Sequence, residues 1–287
     1  MNKRFLIINA DDFGLYESSD RAIETLFDGG LITSSTILAP ASNARQACEV
    51  AKQKNYAVGV HWTLHSEWAD APWRPCAKAG QVPSLADGQG YLWSGGKQVR
   101  KHAKGADVTR ELQAQVDFLR QCGCDADHAD SHGGTLYGIN GRLFFINAFR
   151  VCRELGLPFR FPKTDGFLRR QFGGRVPAVV KGIHRGIAAL GQKMGVKLLD
   201  DFITNPYHIA KIPDYESLSR YYEEQLATAP AGVTEVFLHP SLPDGELCAK
   251  TAEWKKREWE YRFLSEGRLL EAAKKEGFAL VSWEVFS

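Results

Sequence analysis

Two adjacent carboxylates, Asp11 and Asp12, stand at the end of the apolar run Phe5-Leu6-Ile7-Ile8. A short apolar, β-rich run that stops at charged residues reads as a buried strand delivering them to its C-terminal end. Adjacent carboxylates repel each other, so a positive partner belongs beside them, and a divalent cation fits that role. Taken alone the pair reads equally well as turn and N-cap residues before a helix starting near Glu17. Three histidines stand in the same kind of position. His61 ends Ala57-Val58-Gly59-Val60, His132 ends a stretch from Asp127, and His239 ends Thr234 to Leu238. Each alone is readable as a structural histidine. Together with a double Asp they suggest two imidazoles and one carboxylate around a divalent metal, with positions left for water and substrate. The remaining groups would then serve as base and acid. His65 follows His61 by four residues, a metal-pair spacing on a helix but not on a strand and loop. His128 shares the side of His132 and reads as structural, and His102, His184 and His208 have no supporting context.

Strands and helices alternate around these residues. Phe5–Asn9, Thr33–Leu38, Ala57–His61, Asp127–His132, Pro158–Phe161, Asp201–Thr204, Thr234–Pro240 and Phe278–Trp283 read as strands. Ser18–Asp28, Ala44–Lys54, Val108–Arg120, Leu143–Leu155, Tyr215–Ala227 and Thr251–Lys275 read as helices. Such alternation predicts a parallel sheet covered by helices. For residues 1–287 as a single α/β domain, a distorted TIM-like (β/α) barrel is expected, with an open doubly wound sheet as runner-up. In a barrel all strand C-termini open on one face, which would gather the acids and histidines. The pattern breaks at about 66–107, a loop with Trp68, Trp73 and Trp93, three prolines and many glycines. Loops this long are usually functional, so a lid or a subunit contact is expected, with exposed tryptophans suited to sugar rings.

With 36 basic and 34 acidic residues the net charge is +2, so no broad electrostatic attraction to nucleic acid or membrane is expected. The basic stretch from Arg169 to Gly195 reads as a solvated face. No dinucleotide or phosphate-loop fingerprint occurs. No apolar run approaches the roughly 18 residues of a membrane span. The N-terminal run is too short for a signal segment. The six cysteines form no CxxC pair, which fits reduced thiols and a cytoplasmic protein.

The motifs Asn9-Ala10-Asp11-Asp12-Phe13-Gly14, Gly59-Val60-His61-Trp62-Thr63-Leu64, Asp130-Ser131-His132, Pro158-Phe159-Arg160, Leu238-His239-Pro240 and the pair Arg257 and Glu260 resemble, in order, those of the YdjC family of carbohydrate deacetylases, which includes chitooligosaccharide deacetylases. The resemblance implies a distorted barrel, one divalent ion, hydrolysis of an N-acetyl group on a small carbohydrate, and a homodimer. It implies Asp12, His61 and His132 as metal ligands, Asp11 as general base and His239 as general acid. Arg160 would orient base or substrate, and His65 is placed with it as a substrate contact. The ion implied is Mg2+, whereas histidine ligands favour Zn2+. Two departures stand out: Ser131-His132-Gly133-Gly134 replaces Ser-His-x-His, and His65 stands where relatives often carry a small hydroxyl residue. Alternative functions are another metal-dependent carbohydrate hydrolase, acting on a glycoside or sugar phosphate, or a non-catalytic sugar-binding protein.

Overall fold

A computed structural model describes residues 3–138 and 141–287, so Met1 and Asn2 of the N-terminal stretch lie outside the described residues. The chain runs β1 (Arg4–Phe13), α1 (Glu17–Asp28), β2 (Ser34–Ile37), α2 (Ala44–Lys54), β3 (Val58–Trp62), α3 (Gly96–His102) and α4 (Gly105–Gln121). It continues through β4 (Ala129–Ser131), α5 (Phe145–Leu155), β5 (Phe159–Pro162), α6 (Gly166–Gln171), α7 (Ala178–Lys193), β6 (Leu198–Leu199) and β7 (Asp201–Ile203). The last elements are α8 (Tyr215–Ala227), β8 (Gly232–Leu238), α9 (Gly245–Lys250), α10 (Trp254–Ser265), α11 (Arg268–Lys275) and β9 (Phe278–Leu280).

The pairings between these strands are parallel, in the order β6-β5-β4-β3-β2-β1-β8-β7, with β9 beside β1. The two ends of this series, β6 and β7, are separated in the chain by Asp200 alone. That short kinked stretch pairs with β5 on one side and β8 on the other, which nearly closes the sheet into a distorted barrel. Asp200 secures the join, because its Oδ2 accepts from the Val233 backbone N–H at 2.8 Å. A parallel sheet covered by helices is buried on both faces, so its strands carry long apolar runs. Leu6, Ile7, Ile8, Val60, Phe159 and Val236 are all fully buried.

Two boundaries differ from expectation in ways that matter. The region 251–275 is two helices, since Gly267 takes a left-handed φ of 72° between α10 and α11, a conformation that glycine adopts without strain. The segment between β3 and α4 is anchored to the barrel, and its tryptophans do not face solvent as expected. Trp73 is buried, and Trp68 and Trp93 pack half-buried against the core. The apolar area of three indoles is better covered than exposed. Carboxylates of α4 hold this segment in place. Glu111 accepts from the backbone N–H of Cys76 and Ala77, and Asp107 accepts from Ser84 N–H and Oγ.

Candidate active site

Strand β1 continues through both carboxylates instead of stopping before them. Between Ala10 and Phe13 it gains one residue relative to β2, a bulge that re-aims side chains which would otherwise alternate across the sheet. Asp12 takes a φ of 72° there, a strained conformation for a residue with a side chain and one concentrated at functional sites. Gly14 follows at φ 92°, where an added Cβ would lie 2.9 Å from the Ala44 backbone. The turn and N-cap reading of the pair does not hold. Helix α1 starts after Tyr16 without a side-chain cap, and Asp11 and Asp12 point into the barrel mouth, both buried.

The mouth gathers Asp12, His61 and His132 so that one donor atom from each lies within 4.8 Å of the others. Asp12 Oδ1 is 3.4 Å from His61 Nε2 and 3.3 Å from His132 Nδ1. These are the separations set by a cation about 2.1 Å from each donor. Asp12 Oδ1 is buried and accepts no hydrogen bond from the described residues, a costly arrangement that a bound cation relieves. A second grouping, Asp11 with His61 and Asp130, is already committed elsewhere. Asp130 faces His61 Nδ1 at 2.5 Å, Thr36 Oγ1 at 3.1 Å and Arg160 Nη1 at 2.7 Å. The Asp130 contact places the proton of His61 on Nδ1 and leaves the Nε2 lone pair for Asp12's side of the site. His132 has an outer partner in Glu67, 3.5 Å from its Nε2.

Charge balance points the same way. With the histidines neutral, Asp11, Asp12, Asp130 and Glu235 outnumber Arg160 and Arg257, and Glu67 and Glu260 stand beside His132 and His239, so the pocket carries a net negative charge suited to a cation. Burial opposes charge on Asp12, yet Arg257 at 2.6 Å and the two imidazoles hold its carboxyl well below the usual range. Burial likewise disfavours the imidazolium of His61, but Asp130 and Asp12 outweigh it and raise the ring to about 10. His132 is raised to about 9 against burial by Asp12 and Glu67. Asp130 is lowered to about 2 by Arg160 and His61 in spite of burial. These shifts record a strongly negative pocket, where bound metal must displace protons from the imidazoles.

Beneath the metal group lies a ring of interior strand residues that hold Asp11. Arg160 of β5 donates two hydrogen bonds to Asp11 and two to Glu235, at 2.8 Å each. Its Nη1 also forms an ion pair with Asp130 Oδ2 at 2.7 Å. Asn9 Nδ2 adds a 2.8 Å bond to Asp11 Oδ1. Arg160 thereby fixes both carboxylate oxygens of Asp11. His239 sits across the mouth with Nε2 3.8 Å from Asp11 Oδ2, and its backbone N–H donates to Glu260 at 2.8 Å. Burial moves the His239 ring below its ordinary value, against the pull of Asp12 and Asp11. His65 packs behind His132 at 5.5 Å between ring centroids, with Nδ1 3.3 Å from Thr135 Oγ1. Burial beside His132 lowers it to about 4. It is not among the residues lining the mouth cavity.

Asp130, Glu235, Glu67 and Thr36 were not singled out from the sequence as site residues. Two of them carried a readable signal. Asp130 lies two residues before His132, and Glu235 lies four before His239, so each shares a strand side with a mouth histidine. Thr36 and Glu67 carried none.

A cavity of about 550 Å³ opens above Asp11, His61, Arg160 and His239. Its upper walls are apolar, formed by Phe161, Phe167, Phe202, Phe237, Ile183 and Ile187.

The model of the YdjC-like protein family matches residues 5–275. The chain belongs to the YdjC-like family. Among curated relatives, a carbohydrate deacetylase of Thermoanaerobacter pseudethanolicus is 24% identical over 285 residues, covering 98% of this chain and 99% of the relative. A chitooligosaccharide deacetylase of Proteus mirabilis is 31% identical over 224 residues, covering 71% and 84%. Among solved structures, a proposed cellobiose-phosphate cleavage protein from Enterococcus faecalis V583 superposes with a TM-score of 0.78 at 26% identity, over 100% of both chains.

The backbone explains how this YdjC-like chain accommodates Gly133-Gly134 after His132. Both glycines are left-handed, at φ 55° and 62°. A histidine at position 134 would have to adopt that strained conformation. At Gly133 an added Cβ would press on the His65 ring at 3.1 Å. Gly133 thus leaves the room that the His65 ring occupies.

Proposed function

We propose that this YdjC-like chain is a metal-dependent hydrolase that removes an N-acetyl group from an amino sugar or short oligosaccharide. The carrying observation is the buried, unpartnered Asp12 Oδ1 facing His61 and His132, directly beside the clamped carboxylate of Asp11. Asp12, His61 and His132 would hold the ion. When bound, the ion supplies Lewis-acid polarisation of the acetyl carbonyl and acidifies water. Asp11, held at both oxygens by Arg160, takes the proton of the attacking water. His239 donates a proton to the departing amine nitrogen. Asp130 and Glu67 orient the two histidines, and Arg257 orients Asp12. The products are acetate and a free amino sugar. The ion is proposed to be Mg2+, with Zn2+ the alternative that two imidazoles favour. The family resemblance also supports a homodimer and a cytoplasmic site of action. The long β3–α4 segment is proposed as a fixed wall behind His132, since Trp73 lies 6.1 Å from that ring.

The test is an acetate-release screen over N-acetylated mono- and oligosaccharides with each candidate metal, together with metal analysis of the purified chain. The similarity to a proposed cellobiose-phosphate cleavage protein gives glycosidic cleavage a place in the same screen. Release of acetate with the glycosidic bond intact supports deacetylation. Cleaved glycosides without acetate refute it.

A further inference from the structure

The stretch 166–199 carries seven basic residues and no acidic one, in a chain of net charge +2. It forms α6, α7 and the turns around them. Arg169 and Lys181 pair with Asp165, and Arg170 with Asp201. Arg175, Arg185 and Lys193 have no acidic partner among the described residues. Large apolar side chains stand exposed among them: Phe172 at 45%, Ile183 at 53% and Val179 at 72%. Val179 and Ile183 are one turn apart on α7 and share a side. A surface made for water mixes both signs of charge and avoids adjoining apolar side chains. Bare apolar residues on a stretch whose basic side chains outnumber their carboxylate partners instead match an anionic lipid surface, where the apolar groups insert and the unpaired arginines meet phosphate.

This face is continuous with the catalytic cavity. Phe172 and Ile183 belong both to the exposed patch and to the cavity wall. Inside, phenylalanine and isoleucine side chains dominate the upper wall, with Gln171, Thr204 and Asn205 among its polar side chains. The Nε2 of His184, the wall's imidazole, is already engaged at 2.9 Å with the Thr164 carbonyl oxygen.

We infer that the α6–α7 face docks on an anionic lipid bilayer, so that the cavity receives an N-acetylated amino sugar whose apolar chain lies against the Phe161, Phe202 and Phe237 wall. The substrate half of this inference rests on the deacetylase reading, and the docking half does not. The full chain, loaded with metal, is sedimented with vesicles of phosphatidylcholine alone or with added phosphatidylglycerol. At least about tenfold stronger retention on the anionic vesicles is expected. Arg175→Glu with Arg185→Glu, and separately Val179→Glu, should each remove most of it. Neither variant touches the cavity, so turnover of methyl N-acetylglucosaminide should stay within about twofold of the parent. Octyl N-acetylglucosaminide, below its micellar range, should be deacetylated with kcat/KM at least about tenfold above the methyl glycoside. Equal retention on both vesicle types, or unchanged retention of the variants, overturns the docking. Equal kcat/KM for the two glycosides overturns the lipid-bearing substrate. A chain that ignores vesicles but self-associates, and becomes monomeric with Val179→Glu, makes this face an interface between copies and also overturns the docking. Turnover of neither glycoside strikes the deacetylase reading, while the vesicle measurement still decides the docking.

Discussion

Arg160→Lys probes the network that holds Asp11. In the parent chain the guanidinium makes four hydrogen bonds to Asp11 and Glu235 and an ion pair with Asp130, five carboxylate contacts at 2.7–2.8 Å. A lysine keeps the charge but brings three donors on a compact ammonium, so at least two contacts are lost. Hydrogen bonds to charged groups contribute about 1.5–3 kcal/mol each, which bounds the loss at about 3–6 kcal/mol if nothing relaxes. Glu235 provides the relaxation. Burial already pushes its carboxyl up to about 7, even with Arg160 opposing. Near neutral pH it can therefore take up a proton at small cost and relieve one buried charge. The net expectation is a loss of about 2–3 kcal/mol, or roughly 4–12 °C in Tm for a domain of this size. Activity should fall further than stability, by about a hundredfold in kcat, because Asp11 loses its two-point clamp. Calorimetry and acetate release measure the two effects separately. Adding Glu235→Gln to Arg160→Lys should recover part of the Tm, since one carboxylate then needs no counter-charge. A Tm within about 2 °C of the parent and kcat within about threefold would refute the reasoning, as would a Glu235→Gln loss that simply adds to that of Arg160→Lys.

Asp12→Asn should lower metal affinity by more than about a hundredfold and abolish turnover, because it removes the anionic ligand between two imidazoles; calorimetric metal titration checks it, and parent-like affinity would sink the ligand assignment. Asp130→Asn should weaken metal about 10–100-fold by freeing the His61 tautomer, a loss that the same titration reads. His239→Ala should retain metal yet lose turnover by about 10²–10⁴-fold, and near-parent activity would end its role as acid. Glu111 gives a pH signature. Burial raises its carboxyl from 4.5 to about 7 despite bonds from Gln115, Ala77 and Cys76. The folded chain thus holds a proton that the unfolded chain gives up, and this stabilisation, present below 4.5, is lost as pH rises towards 7, by roughly 3 kcal/mol. Glu111→Gln should flatten the fall of Tm between pH 5 and 8, and an unchanged slope would contradict the assignment.

The barrel and the gathering of Asp11, Asp12, His61, His132 and His239 were legible because both rest on local signals. Apolar runs of strand length ended on polar residues, and a parallel barrel brings all such ends to one mouth. What stayed hidden depends on distance across the barrel. In sequence Arg160 is open to orienting either base or substrate. Only the closed barrel places it among Asp11, Asp130 and Glu235, residues 149, 30 and 75 positions away in the chain. The left-handed φ of Asp12 was hidden for a related reason, because a bulge is a mismatch between two strands and β1 alone does not display it. The tryptophans of the β3–α4 segment illustrate the opposite failure. Their composition signalled an aromatic surface, but indoles are usually worth more buried than stacked on sugar, and Glu111 and Asp107 supply the buried anchors that let the loop fold inward. The same physics, applied to α6 and α7, gives the opposite result. There Val179 and Ile183 stay exposed, on a stretch whose Arg175, Arg185 and Lys193 have no acidic partner among the described residues. A loop that had apolar cover available took it, and the α6–α7 face that leaves Val179 and Ile183 exposed fits the docking proposed above.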